Sequence, residues 1–271
     1  MKKSDLVKLI VLAVLTGLAY IPTFEWMIQR WSVKDTYYSH GFLVPFISGF
    51  IVWLKRKTLA TLKQSPTLLW GWLIFGSGIF IHTLSALWRV YFTSGFSLLM
   101  VLAGLILLFF GKEHLKALWF PLSFLAFMVP LPMVAVTNIS FRLKIFAAQV
   151  STVIVRWLGV PAIRDGSVIR TMHSYVMVED PCSGIRSLIA LIALGALMAY
   201  FSHISRVKKL ILFASSIPIA IGTNIIRIVA VTLASEMYGS KFATGLFHDA
   251  MGILVFVFAF ISLTLVGKGL E

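Results

Sequence analysis

The stretch VYFTSGFSLLMVLAGLILLFF, Val90–Phe110, carries no charged side chain across its whole length. About 20 consecutive apolar residues are what a helix needs to cross the hydrocarbon core of a bilayer. The residues around it extend the same reading. Of 271 residues, 59% are hydrophobic and 13% charged, and the mean hydropathy is +0.94. Soluble domains run at about 25% charged, so this chain could not shield its apolar surface from water. Disorder, a coiled coil and a disulfide scaffold are excluded on the same grounds. The balance of 24 Lys+Arg against 10 Asp+Glu gives +14. On a soluble chain that excess points to nucleic acid. On this one it marks cytoplasmic loops, and no nucleic-acid partner is expected. A single cysteine leaves no internal disulfide to form.

Working outward, the apolar runs are Leu6 to about Met27, Gly41 to Leu54, Leu68 to Trp88, Val90 to Phe110, and Leu115 to Val129. The last of these ends at Pro130-Leu131-Pro132. Three more follow: Gly184 to Phe201, Leu210 to about Leu233, and Phe247 to Val266. The run at Gly41 is short and needs upstream residues to cross. Met1-Lys2-Lys3 precedes the first run without a small-residue cleavage site, which reads as a first span rather than a removed signal. The stretch 137–158 carries Arg142, Lys144, Gln149 and Arg156 between apolar residues. It suits an amphipathic helix lying in the interface.

Charge sets the orientation. With the N-terminus in the cytoplasm, 13 basic residues fall in inner flanks, among them Lys55-Arg56-Lys57 and Lys208-Lys209. Only 4 (Arg30, Lys34, Arg89 and Lys241) fall in short outer loops. That is the asymmetry expected of a polytopic protein. The expectation is therefore an all-α integral membrane protein forming one polytopic domain over 1–271. It has about eight transmembrane helices, both termini cytoplasmic, and an outer segment from about 130 to 182 between spans five and six. Within that segment, Val160 to Ile169 reads as strand, Asp165-Gly166 turn, strand, and 174–179 is β-prone. A small outer-face β-ribbon follows, which must sit above the hydrocarbon or be covered by protein.

Chemistry has few places to live. Cys182 lies in Asp180-Pro181-Cys182-Ser183-Gly184-Ile185-Arg186-Ser187, ahead of the sixth span. Asp180 suits an N-cap and Pro181 the first helical turn. A helix N-terminus and Arg186 four residues on favour the thiolate, while Glu179 and Asp180 oppose it. The plain alternative is a small buried hydrophobe. Arg227 sits inside the seventh span, three residues after Asn224 and on the same helix face. A cation there is costly and marks a candidate site; the alternative is snorkelling to the headgroups. His248 opens the eighth span at the outer side, and His40, in Ser39-His40-Gly41, is a further outer-face candidate. His82 reads as a packing residue with Ser85 nearby, His114 and His203 as cytoplasmic loop residues, and His173 as part of the ribbon. No spacing matches a metal site, and no cofactor is expected. A topology set by charge alone thus puts Cys182, Arg227 and His248 at one face, a workable nucleophile, base and cation for acyl transfer.

Taken in order, these motifs resemble the exosortase/archaeosortase family of membrane-embedded sorting enzymes. Ser39-His40-Gly41 with Leu43-Val44-Pro45 is similar to the family's early motif, and Pro130-Leu131-Pro132 with the basic stretch after it is similar too. Cys182 to Ser187 resembles the nucleophile motif, Asn224 with Arg227 the Asn-x-x-Arg motif, and His248 with Gly252 the third. The resemblance implies a cysteine protease/transpeptidase at the periplasmic face of the bacterial inner membrane. Its substrates would carry a C-terminal Pro-Glu-Pro-like motif, one transmembrane helix and a basic tail. Cys182 would be the nucleophile, His248 the base and Arg227 the stabilising cation. Ser183 and Gly184 would offer backbone N–H groups, with Arg186, Asn224 and His40 in support. Membrane lipids and an acceptor nucleophile of unknown identity complete the expected partners.

Two other readings use the same residues. In a transporter or flippase for an anionic lipid or saccharide, Arg227, Asn224, His40 and His248 would line a polar path. None of them lies near mid-bilayer, where transport sites usually form. A non-enzymatic scaffold of polysaccharide export would use none of them.

Overall fold

Pro22 breaks the first apolar run. It has no N–H to donate, and its ring crowds the carbonyl four residues back. In the computed structural model, which describes residues 3–33, 36–178, 184–239 and 246–271, the run is therefore two helices. These are α1 (Lys3–Ala19) and α2 (Ile21–Ser32), bent by 55° between Leu6–Ala19 and Ile21–Ser32. The described residues fall into two compact units, Met1–Pro132 and Met133–Glu271.

The first unit continues with a short 3-10 helix, Ser39–Phe42, then α3 (Leu43–Leu54), α4 (Arg56–Thr61), α5 (Leu68–Leu87), α6 (Tyr91–Phe109) and α7 (Lys112–Phe124). A second 3-10 turn, Leu125–Met128, follows α7. The backbones of α5 and α6 approach closely at Gly71, Gly78 and Gly104; a Cβ on Gly104 would lie 2.6 Å from the Phe75 backbone nitrogen. Small residues of this kind let membrane helices pack by contact alone. The bend at Tyr20 is held by a buried polar cluster. Tyr20 stacks on His82 at 3.9 Å, and its hydroxyl meets Ser97 Oγ at 2.7 Å. Ser94 Oγ meets both Thr23 Oγ1 at 2.6 Å and His82 Nδ1 at 2.8 Å. His82 is a packing residue, as expected, with Ser94 as its partner. His114 is not a loop residue: it lies in α7 and is buried, against the Phe110 ring.

The second unit opens with α8 (Met133–Trp157). Three short strands follow, β1 (Ile163–Asp165), β2 (Val168–Arg170) and β3 (Tyr175–Met177), in an antiparallel sheet of order β1-β2-β3. The hairpin forms, one residue on from the expected Asp165-Gly166 turn: Asp165 ends β1, paired with Val168, and the turn is Gly166-Ser167 with Gly166 at φ 58. One sheet face is buried: Ala162, Ile169 and Val178 pack with Ala147, Ala148 and Val155 of α8. Three long elements complete the unit, α9 (Ile185–Phe201), α10 (Arg206–Tyr238) and α11 (Leu246–Leu270). Ile225, Ile228 and Val229 of α10 join the core under the sheet. Leu191, Ala220 and Ala259 join α9, α10 and α11.

Among the described residues, four helices are long and apolar enough to cross a membrane, or up to six if each bent pair counts as one span. The bent pair within the first unit is α1 with α2. The expected count of eight is higher for a physical reason. The runs at Gly41 and Gly184 form helices of 12 and 17 residues, about 18 and 26 Å long, against a core of about 30 Å. The outward faces of the long helices are apolar: Leu69, Trp72, Phe80, Ile253, Phe256 and Leu265 are all exposed. That is the surface of a multi-pass membrane protein.

Candidate active site

The chain leading into α9 turns through Gly184, which caps the helix with φ 82. L side chains rarely adopt that conformation, and glycine adopts it freely. A Cβ there would also lie 2.8 Å from Asn224 Cγ. Position 184 is therefore glycine for both strain and space. Its carbonyl accepts from Leu188 N at 2.9 Å and from the Ser187 hydroxyl at 2.9 Å. The first turn of α9 is thus tied back to its cap.

This corrects one expectation. The helix begins at Ile185 with Gly184 as its cap, later than an Asp180 cap with Pro181 in the first turn would have it. A left-handed residue cannot continue an α-helix backwards, so the helix stops there. Cys182 and Ser183 fall outside the described residues, two and one positions before that cap. Asp180 and Pro181 lie outside them as well.

Asn224 is buried at 3% exposure in the middle of α10. Arg227, one turn on, is half-buried and lies about 32 Å along the helix from Arg206. Its guanidinium lies over α11: a Cβ on Gly252 would sit 3.5 Å from Nη2. Gly252 is one helical turn after His248 in the chain. His248 lies in the first turn of α11, and its side chain is outside the described residues. Arg186 is half-buried in the first turn of α9. The structure thus joins the neighbours of three sequence motifs. Gly184 meets Asn224, and Arg227 meets Gly252. A narrow recess beside them is lined by Leu143, Ala147, Gly184, Leu188, Ile221 and Asn224. Its apolar residues carry no sequence signal beyond ordinary helix patterning.

His40 belongs to the first unit, in the 3-10 helix before α3. Its Nε2 is buried without a hydrogen-bond partner among the described residues. Here too a glycine explains the motif: a Cβ on Gly41 would lie 2.3 Å from the Trp31 indole nitrogen. That nitrogen donates to the Met128 carbonyl at 2.9 Å, and Leu131 N donates to the Tyr38 hydroxyl at 3.0 Å. The Ser-His-Gly and Pro-Leu-Pro motifs, 90 residues apart in the chain, are therefore one local assembly. Among the described residues no group of three His, Cys, Asp or Glu side chains could hold a metal ion.

Long apolar helices exposed on their outer faces, with an arginine and a buried amide on an inner helix, define a polytopic membrane protein with a polar site between its helices. Residues 31–265 match transmembrane exosortase (Exosortase_EpsH), and the chain belongs to that family. Membership makes it, in broad terms, a membrane protein-sorting enzyme. No curated protein and no solved structure gives a significant match.

Proposed function

We propose that the protein is a cysteine protease/transpeptidase that removes C-terminal sorting signals of the Pro-Glu-Pro type at the outer face of the bacterial inner membrane. Cys182 Sγ attacks the scissile carbonyl carbon while the His248 imidazole accepts the thiol proton. The tetrahedral intermediate collapses, the C–N bond breaks, and His248 returns the proton to the leaving amine. Water or an acceptor nucleophile then attacks the thioester and restores the thiol. Arg227 stabilises the thiolate or the developing oxyanion, assisted by backbone N–H groups at Ser183 and Gly184.

The observation that carries this reading is the pair of contacts Gly184–Asn224 and Arg227–Gly252. They join the flanks of the cysteine, arginine and histidine motifs, which lie far apart in sequence. A basic substrate tail would stay cytoplasmic by the same rule that orients this chain. The cleavage motif would then lie at the outer interface. The test is co-expression of Cys182→Ala and Cys182→Ser with a tagged substrate carrying such a signal. Loss of processing in both is expected, and unchanged processing overturns the assignment. Mass spectrometry of the mature substrate then separates hydrolysis, which leaves a free C-terminal carboxylate, from transfer, which leaves an adduct.

A further inference from the structure

Glu236 occupies an unfavourable place for a carboxylate. It lies in the last turn of α10, at the negative end of the helix dipole, where cations are favoured, and that turn contains no basic residue. Its partners come from 63 residues earlier in the chain. Glu236 Oε1 meets His173 Nδ1 at 2.8 Å, and Oε2 accepts from the His173 backbone N–H at 3.2 Å. The Thr171 hydroxyl is a third contact. The Glu236 side chain is only 14% exposed, whereas that of His173 is 75% exposed. The carboxylate thus grips the turn between β2 and β3 from below. The turn is also closed on itself, by Thr171 N to Ser174 O at 2.9 Å and by the two hydroxyls at 2.8 Å.

What that turn leads to gives the grip its meaning. β3 runs from it, and Val178, the last described residue of this segment, is 1% exposed and donates its N–H to Ser167 O at 3.0 Å. Cys182 is four positions on from Val178, at most about 14 Å of chain. Glu236 and Arg227 share α10, nine residues or about 14 Å apart. The clamp therefore fixes the strand that delivers the cysteine to the helix that carries the arginine. The sheet has a second, apolar attachment to the same helix. The buried side of the sheet stays packed on α10 through Ile169, Val178, Ile228 and Val229. An ion pair with one partner this exposed adds little to global stability.

From this geometry we infer that Glu236 is a positioning residue for the reaction: clamping the Thr171–Ser174 turn to α10, it sets the place of Cys182 relative to Arg227. The inference rests on Cys182 being the nucleophile. Cys182 is the single thiol of the chain, so its alkylation by a polar maleimide on the full-length protein in native membranes reports its environment alone. The experiment compares wild type, Glu236→Ala, Glu236→Gln and His173→Ala by maleimide rate at fixed pH, by processing of a co-expressed tagged substrate, and by unfolding midpoint in detergent. Glu236→Gln keeps an acceptor oxygen and His173→Ala keeps the backbone N–H, so each retains part of the clamp. The expected result is a processing rate reduced about 10-fold or more in Glu236→Ala and partly rescued in the other two. The maleimide rate changes in the same order, and the midpoint stays at the wild-type value. Wild-type processing and alkylation in Glu236→Ala, alongside inactive Cys182→Ala, overturn the clamp alone. A midpoint that falls in step with activity assigns Glu236 to the fold and also overturns it. Processing that persists in Cys182→Ala overturns the functional reading and, with it, this one.

Discussion

Gly184 and Asn224 are in such close contact that no side chain fits between them: a Cβ on Gly184 would lie 2.8 Å from both Cγ and Nδ2 of Asn224. The contact links the cap of α9 to the middle of α10. It is the nearest described connection between the cysteine segment and the helix that bears the arginine.

Gly184→Ala is accordingly expected to lose most substrate processing. The left-handed φ of 82 would cost an alanine about 1–2 kcal/mol, and the Asn224 amide would have to move. Gly184→Asn separates the two causes, because asparagine tolerates the left-handed region but has no room here. Both variants should be inactive when processing of a tagged substrate is followed by gel shift. Full activity in Gly184→Asn would mean that space beside Asn224 does not matter.

The contact between Arg227 and Gly252 is looser and predicts a graded response. A Cβ at 3.5 Å from Nη2 is an ordinary van der Waals neighbour, so Gly252→Ala should process substrate within about 2-fold of wild type. That fold-change amounts to about 0.4 kcal/mol of transition-state stabilisation. Gly252→Leu must displace the guanidinium and should lose about 100-fold or more, the scale seen when an electrostatic stabiliser is removed. Initial rates for the two variants check this directly. Equal rates in both would show that the guanidinium does not act from above Gly252.

How much of this was legible in the sequence depends on the range of the forces involved. The long spans were readable because Val90–Phe110 and Phe247–Val266 state their burial in composition alone. The hairpin was readable because Asp165-Gly166 is a local turn signal, although the turn itself closes on Gly166-Ser167, with Gly166 at φ 58. The eight-span count was less secure, since a run of apolar residues does not say where a helix starts. The 3-10 turn at Ser39–Phe42 and the left-handed Gly184 shorten two helices. Cys182, Asn224 and Arg227 could be singled out by residue type. The contact of Gly184 with Asn224, and of Arg227 with Gly252, could not, because nothing local encodes which faces of α9, α10 and α11 meet. Glu236 gave no signal at all, its partner being a histidine in a turn 63 residues away.

In the first unit Gly41 is closely packed against the Trp31 side chain. A Cβ 2.3 Å from the indole nitrogen cannot be relieved by a rotamer change of the glycine's replacement. The indole must move, and with it the bond from Trp31 Nε1 to the Met128 carbonyl. Overpacking of this kind costs about 1–3 kcal/mol, and the freed carbonyl adds to it. Gly41→Ala should therefore lower the unfolding midpoint measured in detergent, and Trp31→Phe, which removes the same bond without crowding, should lower it less. A Gly41→Ala midpoint at or above that of Trp31→Phe would show that the indole has room to shift.

The polar cluster at the α1–α2 bend makes a separate prediction, because it can be dismantled one hydroxyl at a time. Tyr20 is fully buried, stacked on His82 and bonded to Ser97 at 2.7 Å. Tyr20→Phe keeps the ring and the stack and deletes only the hydroxyl. Single hydrogen bonds between membrane helices are worth about 0.6 kcal/mol on average and about 1.7 at most, so the loss should fall in that range. His82→Ala removes the stack and the bond to Ser94 together and leaves a cavity under Tyr20, so it should cost more, about 2 kcal/mol or above. The double variant should cost less than the sum of the two, since His82→Ala already strips Tyr20 of its neighbour. Equilibrium unfolding of the four proteins in one detergent gives the coupling. Processing per folded molecule should remain at the wild-type level throughout, because none of these side chains belongs to the proposed site. A cluster variant that stays folded but no longer processes substrate would show that the bend, held by Tyr20 and His82, takes part in the reaction.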